Sequence, residues 1–309
     1  MKDKLKIVLG SKWIRLIFSA VLIYFAFRRV NVVHLIGELR LVPIWFVVLF
    51  LVYSSVIMLI GGIRWATLLL DKPKFADYWT FTKATWGGGF YSLVFPTAVG
   101  GDLFKWLPLI EKYPELSKVR IASSVIIDRV IGFTAFSIVA LVALVAGKIL
   151  GYKFPEFLLW LFGALNIGVI GFYLFVYLVD FEKLVMKLPF GKRIMQVVSL
   201  LRAENKRKIF KCLLISLLAE PIWMLPVWFY SLVFKAGIGL LDVYIFMPVI
   251  SLILVLPISV AGFGAREQLF LFFFSQLGIA DEKILLVSTF GGVMGIIGAL
   301  IGGVFLLIK

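Results

Sequence analysis

Apolar residues run along this chain in long uninterrupted blocks, not at the spacing of one helix face or of alternating strand positions. Residues 9–27, 42–70, 119–147, 157–179, 209–234 and 284–308 are each almost wholly apolar. A hydrocarbon layer ~30 Å thick is crossed by about 20 helical residues, so these blocks predict six membrane-spanning helices. Two further blocks, 78–110 and 240–277, are interrupted near the middle, at Phe95-Pro96 to Gly101 and at Leu256-Pro257 to Gly264. Proline withholds an N–H and glycine relaxes the backbone, so a helix is predicted to stop at each break. The second arm of the first block, 103–110, reaches only about half a bilayer at ~1.5 Å per residue.

Charge decides whether the broken blocks cross or turn back. Nine basic residues crowd Lys183 to Lys211, and Lys2, Lys4, Lys6, Lys12 and Arg15 precede the first span. Both stretches belong on the cytoplasmic side by the excess of Lys and Arg. They agree only if the first broken block enters and leaves on one face, as a re-entrant hairpin. The same parity puts the second hairpin on the outer side and returns the C-terminus to the cytoplasm. The order span, span, hairpin, span then occurs twice with opposite orientation, in halves of about 1–150 and 151–309. Amphipathic linkers, 28–41 and 181–208, follow the first span of each half. Shifting the chain by the separation of Pro96 from Pro257 also superposes Val99 on Val260, Gly101 on Gly262 and Lys105 on Arg266. The expected fold is all-α and polytopic: one membrane domain with six spans and two re-entrant hairpins, built as an inverted-topology repeat. The basic start of the chain has no small-residue cleavage site before Arg28-Arg29, so a retained first helix in the plasma (inner) membrane is expected.

Composition narrows the chemistry. The 309 residues are 62% hydrophobic and 16% charged, which needs lipid as solvent. A net charge of +15 would suggest nucleic acid in a soluble protein; here the basic residues lie between spans, where anionic headgroups attract them. Cys212 is the single cysteine and His34 the single histidine, which leaves no disulfide framework, no Cys- or His-based metal site and no histidine catalysis. No cofactor is expected.

The breaks are the first candidates for function. Irregular backbone at membrane depth must be buried in protein or line a wet cavity. Gly100, Gly101, Gly262 and Gly264 free the backbone to turn toward a ligand, and helices starting at Asp102 and Ala265 would aim positive dipole ends at an anion. Lys105 and Arg266 stand one turn beyond each break, within reach of a phosphate held there. The plainer reading has them snorkelling to an interface or pairing with Asp102 or Glu267. Asp128-Arg129 lies about nine residues into the third span, ~14 Å deep, where charge must be paired or wet. Arg129 is a further anion contact with Asp128 orienting it, or else the two belong to a structural ion pair. Glu220, before Pro221 in the fifth span, is a carboxylate that takes a proton, pairs with a cation or stays hydrogen-bonded and buried. Gly291, Gly295, Gly298 and Gly302 have the spacing that lets helices pack closely, and the Gly87-Gly88-Gly89 run reads the same way or as a flexible point in the first hairpin.

Phe95-Pro96 to Gly100-Gly101-Asp102 with Lys105, the Asp128-Arg129 pair, and above all Leu256-Pro257-Ile258-Ser259 to Gly262-Phe263-Gly264-Ala265-Arg266-Glu267 resemble the lysylphosphatidylglycerol synthase transmembrane-region family. That family is the flippase-like membrane half of the bacterial multiple peptide resistance factor, and it also occurs alone. The resemblance spans nearly the whole chain and implies movement of a lipid headgroup across the bilayer. Its best-known members carry a soluble aminoacyl transferase domain after the membrane half; the sequence ends at Lys309 without one, so transferase activity is not implied. The reading is a flippase or transporter of an anionic, phosphate-bearing phospholipid or polyprenyl-linked lipid. In it, opposed hairpins form a midplane site, Lys105, Arg129 and Arg266 hold the phosphate, and one of Asp102, Glu220 or Glu267 is available to couple protons. The alternatives are an intramembrane enzyme acting on a lipid phosphate or glycolipid, and a non-transporting partner subunit. Besides membrane lipids, candidate partners are a second copy of the chain and a lipid-synthesis enzyme.

Overall fold

The computed structural model describes residues 24, 32–94, 101–180, 182–187, 191–203, 206–256, 259 and 262–307. The first predicted span, apart from Tyr24, lies outside these residues, as do Pro96, Gly100 and Pro257.

The described chain is helical, in the order α1 (Val32–Arg40), α2 (Ile44–Leu69), α3 (Phe75–Val94), α4 (Asp102–Lys105), α5 (Leu107–Lys112), α6 (Lys118–Ile149), α7 (Phe157–Leu178), α8 (Glu182–Val185), α9 (Gly191–Ala203), α10 (Lys206–Val233), α11 (Leu240–Leu254), α12 (Ala265–Phe274) and α13 (Asp281–Leu307). Helix satisfies every backbone group within its own segment, which is what lipid demands. Among the described residues α2, α6, α7, α10 and α13 are long and apolar enough to cross a membrane. They correspond to five of the six predicted spans, with ends shifted by at most about three residues.

α11 ends at Leu254, at the second break, and α3 runs to Val94, where the first break passes outside the described residues. Both blocks then fold back. A Cβ on Gly101 would overlap the carbonyl of Gly88, the Phe104 ring lies 5.5 Å from that of Tyr91, and the Tyr113 hydroxyl donates to Asp77 at 2.7 Å. Successively later residues therefore meet successively earlier ones along α3, until Tyr113 stands beside its first turn. Burial and the neighbouring Asp77 raise the Tyr113 phenol, so it stays a donor. In the second block Gly262 lies against Leu254, and the Phe273 ring lies 5.4 Å from that of Phe246. Gly262 and Gly264 both have φ +79, a left-handed conformation that costs a side-chain-bearing residue about 1–2 kcal/mol.

The chain resolves into two compact units. One comprises Met1–Val56, Trp86–Phe104 and Trp223–Lys309, the other Ile57–Thr85 and Lys105–Ile222; each draws on both halves of the sequence.

In the first unit α13 packs on α1 and α12. A Cβ on Gly302 would overlap the Trp86 carbonyl, one on Gly303 would press into the Phe90 ring, and one on Gly291 would sit 3.2 Å from the Tyr230 ring. Glycine thus admits close packing at both ends of the predicted stripe, whereas Gly295 and Gly298 face no atom within 4 Å.

In the second unit α6 packs on α7 and α9. Gly62 lets α2 approach α3 so closely that any Cβ would overlap the backbone of Thr82. The amphipathic expectation for 181–208 is met by α8 and α9, whose Val185, Val198 and Leu201 are buried with Ile131, Val176 and Cys212. Arg202 donates to the carbonyls of Val176 and Val179, both at 2.6 Å, and so closes the C-terminal end of α7. Asp71 bonds Lys208 at 2.6 Å, which lowers its carboxyl.

Candidate functional site

The centre of the second unit is an arginine within an otherwise apolar span. Arg64 is the only charged residue of α2, and its guanidinium forms a fork on Asp128 of α6, Nε donating to Oδ1 at 2.7 Å and Nη2 to Oδ2 at 2.9 Å. Its Nη1 donates to Ser216 of α10 at 3.0 Å. The planar guanidinium lies on Gly132, one turn after Asp128, where a Cβ would stand 3.4 Å from Nη1. A small residue at this position leaves the plane free to reach both acceptors. Two-point bonding of this kind fixes angle as well as distance.

Lys105 reaches the same carboxylate. Its Nζ lies 3.9 Å from Asp128 Oδ2 and 4.8 Å above the Trp65 ring, whose Nε1 donates to Ser124. Lys105 is only 5% exposed, so it does not snorkel; it enters the protein and leans on an aromatic face, which suits a desolvated cation. Two cations, Arg64 and Lys105, thus share one buried acid. Arg129, the next residue of α6, is exposed. Glu220, half-buried one turn beyond Ser216, lies within electrostatic reach of Arg64 and Arg129.

Arg266 belongs to the first unit and is held differently. Its Nη2 donates to Glu267 Oε1 at 3.0 Å, its guanidinium lies 5.1 Å over the Phe263 ring, and a Cβ on Gly292 of α13 would collide with it. Glu267 is 1% exposed. It accepts the Gly264 N–H at 2.7 Å and the Ser288 hydroxyl at 3.3 Å. The carboxylate therefore caps its own helix, closing the start of α12 that the sequence offered to an anion. Pairing of Arg266 with Glu267, the plainer reading of that residue, is present. Nη1 of Arg266 meets no protein acceptor among the described residues and remains available.

Of the other predicted site residues, Gly101 packs on α3, Asp102 begins the four-residue α4 with its side chain outside the described residues, and Gly262 and Gly264 supply the turn into α12. The sequence reading missed Arg64, Ser216 and Gly132. Only Arg64 left a signal, a lone charge deep in an apolar block.

Comparison with curated proteins finds no match, and comparison with solved structures finds none. The family model described as lysylphosphatidylglycerol synthase TM region does match, over residues 12–303. With nearly the whole length covered by that match, this chain belongs to the lysylphosphatidylglycerol synthase transmembrane-region family.

Proposed function

We infer from membership of that family and from five membrane-length helices that the protein has a lipid-related function in the membrane. We propose that it is a lipid flippase or transporter that moves an anionic, phosphate-bearing headgroup across the bilayer while the acyl or prenyl chains stay in lipid. The observation that carries this reading is the pair of inward-held cations of the second unit, Arg64 and Lys105, brought together on the Asp128 carboxylate. Cations gathered at membrane depth attract an anion or water. Lys105 is the contact for a phosphate in that unit, with Arg129 within electrostatic reach of the same Asp128; Arg266, with donors left over from Glu267, is the contact in the other. The two fold-back segments are re-entrant hairpins in this reading, placed in opposite orientation by an inverted repeat, with both termini cytoplasmic and the protein in the plasma membrane. The return of Tyr113 to the first turn of α3 supports entry and exit on one face.

The test is translocation of a fluorescent anionic lipid in proteoliposomes holding the purified protein. Wild type should move the lipid, and Lys105→Ala and Arg266→Ala should each slow it by tenfold or more. No translocation by wild type, or undiminished rates in both variants, refutes the proposal. Conversion of labelled lipid to a new product in detergent, where sidedness has no meaning, would instead establish an intramembrane enzyme.

A further inference from the structure

Three acids stand near these cations, and the structure uses them unequally. Asp128 takes two guanidinium bonds and faces Lys105. Glu267 takes a backbone N–H, a guanidinium and a hydroxyl. Glu220 has neither a hydrogen bond nor an ion pair within 4 Å among the described residues, although it is half-buried in a membrane helix and within electrostatic reach of Arg64 and Arg129. A carboxylate so placed changes its charge more readily than one fastened by several donors.

Its neighbours give that change a consequence. Ser216, which holds Nη1 of Arg64, is one turn earlier on α10, so Ser216 and Glu220 are successive acceptors on one helix face. Pro221 has no N–H for the carbonyl of Leu217, which loosens the backbone at this turn. The charged groups facing Glu220 are Arg64 from α2 and Arg129 from α6. On α10 itself the nearest titratable groups are Cys212, Lys211 and Tyr230, two turns or more away. Ionised, Glu220 competes with any incoming anion for Arg64 and Arg129. Protonated, it no longer competes for Arg64 and Arg129.

We propose that Glu220 is a proton-binding site of the transport cycle, its carboxylate taking a proton from water so that the cluster can accept an anionic headgroup, which makes the protein a proton-coupled lipid anion transporter. The proposal rests on the lipid-transport reading and names its coupling ion. A monoanionic phosphodiester entering with one proton adds no net charge to the membrane interior, which lowers the cost of crossing. Linkage is reciprocal: if a proton favours the lipid, bound lipid must favour proton uptake.

The experiment is equilibrium binding of fluorescent phosphatidylglycerol, and in a second arm polyprenyl phosphate, to the full chain in phosphatidylcholine nanodiscs between about pH 5 and pH 9. Proton uptake on binding is followed with a pH dye in weak buffer. Wild-type affinity should fall as pH rises, by up to about tenfold per unit for one linked proton, with proton uptake on addition of lipid. Glu220→Gln, nearly isosteric, should bind phosphatidylglycerol tightly with no pH slope and no uptake; Glu220→Asp should keep the slope. Polyprenyl phosphate ionises a second time in this range, so with it the slope should shrink in Glu220→Gln without vanishing. Binding whose slope and proton uptake are the same in wild type and Glu220→Gln overturns the inference and leaves lipid transport standing. Absence of binding of both lipids at every pH overturns the transport reading and this inference with it.

Discussion

Replacing Asp128 by asparagine removes the one negative charge shared by Arg64 and Lys105 while keeping shape and volume. The asparagine oxygen can still accept one guanidinium N–H, but its NH2 group faces donors in place of an acceptor. At an effective dielectric of about 20, a unit-charge contact at the Lys105–Asp128 distance of 3.9 Å is worth ~4 kcal/mol, and the shorter Arg64 fork is worth more. Part of that is offset because the carboxylate no longer pays desolvation, and broken buried pairs lose about 3–5 kcal/mol net. Cys212 reports the loss directly. It is the single cysteine, buried, and its thiol donates to the Arg64 carbonyl at 3.5 Å. Labelling by a membrane-soluble maleimide dye in nanodiscs therefore reads opening of the second unit around the cluster. When reclosing is faster than labelling, 3–5 kcal/mol raises the labelling rate by about two to nearly four decades. Lys105→Met leaves the Arg64–Asp128 fork intact and should raise it by less than about tenfold. Arg64→Met with Asp128→Leu together should label more slowly than Asp128→Asn, because only Lys105 then loses the shared acid, whereas Asp128→Asn takes it from both cations. Equal labelling of wild type and Asp128→Asn, or strict additivity in the double variant, refutes the view that this cluster is an energetically coupled buried network.

Glycine contacts make further predictions. Gly302→Leu should abolish folding or shift the melting temperature down by several degrees, because α13 must move off the Trp86 carbonyl, whereas Gly295→Leu, with no atom within 4 Å, should leave it unchanged. Gly292→Ala should displace the Arg266 guanidinium and weaken anionic-lipid binding at least tenfold while the protein remains folded by circular dichroism. Gly264→Ala places a methyl group at φ +79 and should cost about 1–2 kcal/mol in a denaturation series. Arg202→Ala frees the carbonyls of Val176 and Val179 and should speed protease cleavage between α7 and α9 several-fold.

What could be read from the sequence is local. A membrane helix is recognised by about 20 consecutive apolar residues, so α2, α6, α7, α10 and α13 were found nearly to their ends. Pro96 and Pro257 announced the breaks by what proline lacks, and charge parity alone suggested that the chain turns back. Side-chain partnership is not local. The adjacent pair Asp128-Arg129 suggested that the acid orients its neighbour, yet successive helical residues point 100° apart, and Asp128 instead meets Arg64 and Lys105, 64 and 23 residues away. Arg64 itself disappears when a span is judged by its average. Judged residue by residue, a single arginine among apolar neighbours demands a partner, and that test would have found it.

Lys105 and Arg266 are therefore equivalent in the sequence and different in the fold. Each follows a break by the same number of residues, and each leans on the long helix after its hairpin, Lys105 on α6 at Asp128 and Arg266 on α13 at Gly292. Lys105 finds an acid that already has an arginine, so two cations draw on one carboxylate. Arg266 carries its own acid beside it, so its charge is balanced within two residues and only its spare N–H donors remain. Loss of charge at Lys105 should then weaken binding of every anionic lipid and flatten the salt dependence of that binding. At Arg266 the geometry matters more: Arg266→Lys keeps the charge but not the planar fork, and should weaken binding almost as much as Arg266→Ala. If Arg266→Lys binds like wild type while Lys105→Arg does not, the two roles are reversed.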